Sequence, residues 1–185
     1  ATLSTLTGGI TNSGLISGRY GIYAKQSTLT GGITNSDSIS GGSGGIYAYA
    51  SILEDGITNS GSISGGYYGG IYASLSTLTG GITNSGLISG TSVAGILLTR
   101  SSTLTGGINN SGTISGGIDG IGLRSSTLEG GITNAGLIQG TEYAIYAGQS
   151  SSVSGGILVT GTSAQFIGDI YAPNVDLTLA SDAKF

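Results

Sequence analysis

The sequence contains no cysteine, histidine, methionine or tryptophan, and only one proline among its 185 residues. Without cysteine there is neither a disulfide framework nor a thiolate nucleophile. Without histidine and cysteine, zinc sites with nitrogen or sulfur ligands are excluded, and a nucleophilic triad lacks its usual base. Any chemistry at this protein must therefore depend on carboxylates, hydroxyls, amides, aromatic rings or the few basic side chains.

Charged residues are also scarce, at 8% of the chain, against about 25% in ordinary soluble domains. The net charge of −4 argues against nucleic acid as a partner, because a basic stripe is expected there. No apolar run approaches the length of about 18 residues that a membrane-spanning helix needs. These absences point away from nucleic-acid binding and from a transmembrane segment.

Glycine is abundant instead, with 38 residues, and it recurs within a repeated phrase. Gly80–Gly90 reads Gly-Gly-Ile-Thr-Asn-Ser-Gly-Leu-Ile-Ser-Gly; Gly8–Gly18 is identical, and Gly31–Gly41 differs at two positions. The isoleucines of the phrase recur every 23 to 26 residues, at Ile10, Ile33, Ile57, Ile82, Ile108, Ile132 and Ile157. A period in this range is typical of a solenoid, in which one structural unit stacks on its own copies.

Alternation of apolar and polar residues within each repeat predicts short strands rather than helices. In the second copy, Leu29, Ile33 and Asn35 are predicted to lie on one strand with their side chains on the same face. An Asn-Ser-Gly turn with positive φ angles is expected next, then a strand centred on Ile39, a glycine-rich corner, and a strand at Ile46. We therefore predict an all-β, single-stranded β-solenoid of about seven turns, each with three short strands.

We predict a single β-solenoid domain over residues 1–185, with repeats that begin near residues 4, 27, 51, 76, 102, 126 and 151 and a divergent terminal strand at 174–185. Stacked repeats place identical side chains above one another, and each buried aliphatic side chain contributes about 1.5–3 kcal/mol. A second ladder, made of amides that bond to the next turn, is predicted from Asn12, Asn35, Asn59, Asn84, Asn110 and Asn134.

The repeated phrase, followed in most copies by Gly-Ile-Tyr-Ala or a close variant, resembles the repeats of autotransporter passenger domains of Gram-negative bacteria. The strand at Val175–Leu179 looks like a later turn of the same family. The resemblance covers essentially the whole chain. It implies a right-handed β-helix that is exported, displayed at the cell surface and often adhesive, and it brings no catalytic motif with it.

Carboxylates are the only residues left for hydrolysis, and their spacing argues against it. Glu54 and Glu129 occupy the same repeat position three turns apart, which is about 14 Å at the spacing of stacked strands. Paired carboxylates in glycosidases lie about 5–9.5 Å apart. We expect no enzymatic activity, no cofactor and no metal site, and we interpret the acidic residues, including Asp119 and Glu142, as solvated turn charges.

Two outward rows are predicted to be contact surfaces. One is a tyrosine stripe that would bind glycans, pack against a neighbouring subunit or stiffen one face, and it consists of Tyr23, Tyr47, Tyr72, Tyr146 and Tyr171. The other consists of threonines that flank an inward leucine, as at Thr5 and Thr7, and it resembles the surface of ice-binding proteins. Ile52 and Glu54 interrupt the threonine row, and threonine is also an ordinary exposed strand residue.

Neither end of the sequence offers an amphipathic helix or a charged cap, which a solenoid needs to prevent edge-to-edge pairing. Either the chain is a piece of a longer solenoid, or its ends pair with other copies, through Leu3, Leu6, Val175, Leu177 and Leu179. We expect a non-enzymatic, extracellular structural protein of a bacterial surface that stacks head to tail into a filament. A fragment of an autotransporter adhesin is the alternative, and ice binding is the third.

Overall fold

A computed structural model describes residues 1–148 and 150–183, in which the regular secondary structure is entirely parallel β-sheet. The chain winds through about seven turns, and each complete turn crosses three sheets. The predicted all-β solenoid of about seven turns is therefore confirmed. No helix in the described residues is long and apolar enough to cross a membrane.

The three sheets differ in strand length and together form the walls of the solenoid. The short sheet contains β1 (Thr5–Leu6), β4 (Thr28–Leu29), β7 (Ile52–Leu53), β11 (Thr77–Leu78), β15 (Thr103–Leu104), β19 (Thr127–Leu128) and β22 (Ser152–Val153). The middle sheet contains β2 (Ile10–Asn12), β5 (Ile33–Asn35), β8 (Ile57–Asn59), β12 (Ile82–Asn84), β16 (Ile108–Asn110), β20 (Ile132–Asn134), β23 (Ile157–Val159) and β25 (Leu177–Leu179). The long sheet contains β3 (Leu15–Lys25), β6 (Ser38–Tyr49), β9 (Ser62–Gly65), β10 (Gly69–Ser74), β13 (Leu87–Gly90), β14 (Ala94–Thr99), β17 (Thr113–Gly116), β18 (Asp119–Arg124), β21 (Leu137–Gly148) and β24 (Gln165–Tyr171).

The core consists of aliphatic ladders that run along the axis. Strand register places Ile82 between Ile57 and Ile108, and all three side chains are buried. The short sheet supplies a leucine ladder and the long sheet supplies two further ladders, at the levels of Ile88 and Ile96. Because one side of each strand faces this core, a chain with few charged residues still buries a continuous apolar interior.

One predicted strand is divided by a corner. Leu29 ends β4 and Ile33 begins β5, because Gly31 and Gly32 have φ angles of +88° and +71°. Only glycine adopts this backbone without strain, so the Gly-Gly pair is a turn and not part of a strand. The prediction of one continuous strand from Leu29 to Asn35 was wrong, although both apolar side chains do face the core.

Another predicted corner is part of a strand. β6 runs from Ser38 to Tyr49 and joins the Ile39 and Ile46 segments in one sheet; three later turns break the strand but keep both halves in that sheet. The third corner lies instead just before the short sheet, where Gln26 and Ala50 have φ angles of 50° and 49°. Each complete turn thus still crosses three sheets, but two of the predicted boundaries were misplaced.

The Asn-Ser-Gly turn is tight for a reason other than a positive φ angle. Neither Asn84 nor Gly86 is among the described residues with positive φ. A Cβ atom on Gly86 would lie 2.7 Å from the carbonyl carbon of Ser60 and would also meet the carbonyl oxygen of Gly61. Glycine is therefore needed at this corner because the preceding turn approaches it closely, and the predicted positive φ was wrong.

After β24, the described chain forms no further strand in the short sheet. After β24 the chain turns at Asn174, which has a φ angle of 62°, and passes directly to β25. In the described residues the short sheet has no strand beyond β22, and Val175 packs against the core near that position. The predicted terminal strand at 174–185 is thus the shorter β25, and its positions Lys184 and Phe185 lie outside the described residues.

Candidate functional site

The first turn presents an apolar depression at one end of the solenoid. Its volume is about 300 Å³, and Leu6, Ile10, Ile16 and Ile22 are among the residues that line it. These side chains occupy the positions of the core ladders, but no described turn covers them. Two further apolar side chains project at this end: Leu3 is 75% exposed and Leu15 is 70% exposed, and only the first of the two was predicted from the sequence.

The last turn presents a second apolar depression, of about 510 Å³, at the opposite end. Val159, Phe166, Ile170 and Leu177 are among the residues that line it. Leu177 and Leu179, which were predicted as end residues, are about half exposed. The ends of the solenoid therefore both expose core positions together with the free edges of parallel strands.

A column of amides runs through the corner between the middle and long sheets. Nδ2 of each asparagine donates to Oδ1 of the next at 2.8 Å, through Asn12, Asn35, Asn59, Asn84, Asn110 and Asn134. Nδ2 of Asn84 also donates to the carbonyl oxygens of Gly86 and Thr113, both at 3.1 Å. All six side chains are buried, so the column supplies bonds to turn carbonyls that water does not reach.

The asparagine column has a direction, and its two ends differ. At the first turn, Oδ1 of Asn12 accepts a bond of 3.4 Å from the amide of Gly14 and faces the side on which no turn is present. At the other end, Val159 and Leu179 occupy the register positions that would continue beyond Asn134. The first turn thus ends in a buried acceptor and the last turn in apolar side chains.

A second polar column was missed from the sequence. At the corner before the short sheet, the hydroxyl of one serine accepts from the backbone amide of the serine one turn earlier, as in Ser27 to Ser51 and Ser51 to Ser76. The Ser51 hydroxyl also donates to the carbonyl oxygen of Tyr49 at 2.9 Å. The sequence does contain a pattern that could have indicated this column, because a serine directly precedes each strand of the short sheet. Without knowledge of the corner, these serines look like ordinary polar surface residues.

The tyrosine stripe is two clusters rather than one row. Tyr23, Tyr47 and Tyr72 stack with ring centroids 5.5 and 4.9 Å apart, and Tyr146 stacks on Tyr171 at 5.5 Å. The register positions between the clusters carry Leu97 and Gly122. Four further tyrosines, from segments that vary between turns, join the clusters and were not predicted: Tyr20, Tyr67, Tyr68 and Tyr143.

Packing within the larger cluster changes the acidity of its rings. Burial raises the pKa of Tyr47 from 10.0 to about 12, and the neighbouring phenols of Tyr72, Tyr68, Tyr20 and Tyr23 add to the rise. Burial likewise raises the pKa of the Tyr68 phenol. Tyr72 is only 7% exposed, so this cluster is largely a packed aromatic layer whose outer surface includes the 66% exposed ring of Tyr67.

A cavity of about 470 Å³ lies in the gap between the clusters and is lined by Ile118, Asp119, Arg124, Glu142, Tyr143 and Tyr146. Asp119 is buried at 1% exposure, and its Oδ2 is 2.8 Å from Nη2 of Arg124. Its Oδ1 has no hydrogen-bond partner among the described residues. Burial raises the pKa of Asp119 to about 6; Arg124 opposes the rise and Glu142 adds to it.

Asp119 is therefore not a solvated turn charge, and that prediction was wrong for this residue. Asp119 and Glu142 come from consecutive turns and line the same cavity, a proximity that was not predicted from the sequence. Asp55 does have the surroundings predicted for a turn charge, because it is exposed and accepts from the amide of Gly31, whereas Glu142 lies within β21. In residues 1–148 and 150–183, no three acidic side chains approach closely enough to hold a metal ion.

The threonine row has the interruptions that the sequence indicated. Thr28 and Thr77 flank Ile52 in the short sheet, and Thr127 is followed by Ser152. A longer run of outward threonines lies on the middle sheet, at Thr11, Thr34, Thr58 and Thr83, before Asn109 replaces threonine. The threonine row predicted from the sequence did not include this second run, because it comprised only the threonines that flank an inward leucine.

The chain matches no protein-family model, no curated protein and no solved structure.

Proposed function

We propose that this chain is a non-enzymatic structural protein of a bacterial cell exterior whose copies join head to tail into a filament. One observation carries the proposal: both ends of the solenoid expose free strand edges above uncovered core side chains. Because the two ends carry different residues, their contact is heterologous, and such contacts produce open filaments when the rotation does not close.

The apolar content of the two ends favours contact. The first turn offers Leu6 and Ile10, and the last turn offers Ile170 and Leu177, all of them at ladder positions. Covering such side chains contributes roughly 25 cal/mol for each Å² of apolar surface removed from water. Stacked edges would also pair backbone groups that are otherwise free, so affinity and alignment would come from the same contact.

The strand order suggests how the joint would form. β25 is the outermost strand of the middle sheet, so β2 of the following copy would pair with it. One strand position would then remain in the long sheet, between β24 and the following β3, and one in the short sheet, between β22 and the following β1. Thr2 already pairs with Lys25 at the edge of the vacant position in the long sheet, and in every earlier turn the chain passes from the middle sheet into the long sheet.

An extracellular bacterial setting is supported by composition and by resemblance. The chain is rich in glycine, serine and threonine, lacks cysteine and methionine, and carries only five lysines and arginines. Its repeated phrase resembles that of autotransporter passenger domains, which are exported. Composition and the repeated phrase support an exported protein in general, so they apply equally to a filament subunit and to a surface adhesin.

The test uses charge at each end of the rod. Leu6→Lys and Leu177→Lys replace side chains that are 41% and 52% exposed, so each variant should still fold. We expect fibres from the wild type in negative-stain electron microscopy and single rods from either variant. An equimolar mixture should give dimers by analytical ultracentrifugation, because only one unmodified end of each kind remains.

The matched control is Ile52→Lys, at a side chain that is 44% exposed on the wall of the rod, and it should leave fibres intact. The proposal fails if the wild type remains as single short rods at all concentrations. It also fails if fibres form equally well with lysine at both ends.

A second candidate function follows from the direction of the asparagine column. Oδ1 of Asn12 faces outward at the first turn, whereas a preceding copy would offer Leu179 and not an amide. This mismatch favours a passenger segment of a longer solenoid that displays an adhesive surface, with a further asparagine-bearing turn before Asn12. Fusing a duplicate of residues 27–50 ahead of Ala1 should then raise the unfolding free energy of a protein that stays monomeric, and no gain would count against this candidate.

A further inference from the structure

We propose that the cavity beside Gly122 is a binding site for a neutral sugar ring. Asp119, Arg124, Glu142, Tyr143 and Tyr146 are among the residues that line it, and it adjoins the interior position of the aromatic row where Gly122 lies between Leu97 and Tyr146. The site is independent of the two ends of the solenoid, so it can exist whether or not copies assemble.

The aromatic wall of the cavity is already oriented. Tyr143 and Tyr146 are 5.0 Å apart at an interplanar angle of 50°, and Tyr171 stacks behind Tyr146 at 5.5 Å. The face of Tyr146 that is not covered by Tyr171 carries the Arg124 guanidinium, whose carbon lies 5.8 Å from the ring centre. The partly exposed rings of Tyr143 and Tyr146 therefore offer an aromatic wall beside a cation, and a pyranose ring can pack its axial C–H groups against the exposed part of that wall.

The polar wall of the cavity contains one buried acceptor, Oδ1 of Asp119, that receives no hydrogen bond in the described residues. Asp119 is buried and bonds to Arg124 through Oδ2, but its Oδ1 has no partner in the described residues. A buried acceptor without a donor is energetically unfavourable, and a ligand hydroxyl that donates to the carboxylate would supply the missing bond. Adjacent hydroxyls of a sugar fit this pair, because one donates to Asp119 and the next accepts from the Arg124 guanidinium.

The charges at the cavity select the class of ligand. Two carboxylates, Asp119 and Glu142, line it with a single guanidinium, Arg124. An anionic sugar would meet repulsion from Glu142 while Arg124 is already paired. A metal ion would lack the six or more oxygen ligands that calcium takes. The hydroxyls of a neutral polyol can donate to the carboxylates and accept from the guanidinium. The cavity volume of about 470 Å³ is within the usual range for small-ligand sites.

Gly122 leaves room for the Asp119 carboxylate at the edge of the cavity. A Cβ atom there would lie 2.7 Å from Asp119 Oδ2 and 3.1 Å from Leu97 Cδ1, so any side chain would displace the carboxylate or fill the gap. The neighbouring turns carry Leu97 and Tyr146 at the same register position. Glycine at this one position is therefore what allows the Asp119–Arg124 pair to lie within the aromatic row.

The experiment measures binding of methyl glycosides of glucose, galactose and mannose to the full chain by saturation-transfer NMR and titration calorimetry, with glucuronic acid as the anionic comparison. We expect at least one neutral glycoside to bind in the millimolar range typical of such small ligands, with saturation at its ring protons. Binding should be stronger than that of glucuronic acid by at least tenfold.

Tyr146→Leu should weaken this binding tenfold or more, and leucine is already present in the same row at Leu97. The matched control is Tyr23→Leu, in the other cluster, which should leave binding unchanged. Gly122→Ser should also abolish binding, with thermal unfolding used to confirm that each variant is folded. The proposal is overturned if no neutral glycoside binds, if glucuronic acid binds as well as they do, or if folded Tyr146→Leu and Tyr23→Leu behave alike.

Discussion

The side-chain amide of Asn84 donates to Oδ1 of Asn110 over 2.8 Å, and both residues are almost completely buried. The same amide also reaches two backbone carbonyls, and its own oxygen accepts from Asn59. A single side chain thus joins three consecutive turns. Because each amide is aligned with the next, the column ties the corners of the solenoid together along its axis.

Replacing Asn84 by valine should destabilise the protein strongly. The change removes the partner of Asn59 and leaves the carbonyls of Gly86 and Thr113 without a side-chain donor. At about 1–3 kcal/mol for each buried group left unsatisfied, we expect the free energy of unfolding to fall by about 3 kcal/mol or more in urea denaturation. Asn109→Thr is the control, because this side chain is exposed and threonine occupies the same register position at Thr83; a similar loss there would contradict the explanation.

Two glycines in identical phrases should respond differently to alanine. A Cβ atom on Gly86 would collide with the backbone of the preceding turn, whereas nothing lies within 4 Å of the same atom on Gly14. Gly86→Ala should therefore lower the free energy of unfolding by about 2–4 kcal/mol, and Gly14→Ala by less than about 0.5 kcal/mol. Thermal and urea unfolding of both variants in the Leu177→Lys background, which blocks stacking, provide the measurement. Equal effects would show that the turn and not the contact requires glycine.

The stability of the protein should depend on pH through Asp119. Its pKa is about 6 when folded, above the ordinary value of 3.8, so the folded state binds the proton more tightly than the unfolded state does. The contribution of this group is greatest below pH 4 and declines as pH rises to about 6, by up to about 3 kcal/mol. The measurement is the free energy of unfolding as a function of pH. The Asp119→Asn variant should lack this decline, whereas the Asp37→Asn variant, changed at an exposed carboxylate, should keep it. Parallel profiles for the wild type and Asp119→Asn would refute the burial argument.

The Tyr47 phenol should be among the last to ionise. Burial and the neighbouring phenols raise its pKa to about 12, so an ultraviolet titration of the folded protein should contain a component in that range. Tyr47→Phe should remove this component, and Tyr67→Phe, at a ring that is 66% exposed, should leave it in place. Because the unfolded phenol ionises near 10, the stability due to this group is lost as pH rises from 10 toward 12.

The features predicted correctly are those that depend on repetition. The isoleucine period predicted stacked turns, and Ile57, Ile82 and Ile108 do lie in register. Boundaries within a turn were harder to predict. Gly31 could belong equally to a strand or to a corner, because its neighbours alternate correctly in both cases, and only the φ angle distinguishes them.

The sites were less predictable than the fold. Asp119 sits in a variable segment and resembles any turn carboxylate in the sequence; it is buried because Gly122 leaves space and Arg124 lies within reach. Tyr20 lies within β3 and Tyr68 lies in the break between β9 and β10, so no period indicated that they meet in the same cluster. These relationships depend on packing between side chains of different turns.

By itself, the sequence determined the kind of architecture: its period determined the stacking of turns, and its alternation determined which isoleucines and leucines face the core. The tertiary structure decided where each turn bends, which polar groups are buried and which surfaces remain open. The physical reason is that period and alternation are properties of neighbouring residues in one chain segment. Contacts such as Gly86 with Gly61, or Asp119 with the Gly122 gap, depend on how closely separate segments approach in space.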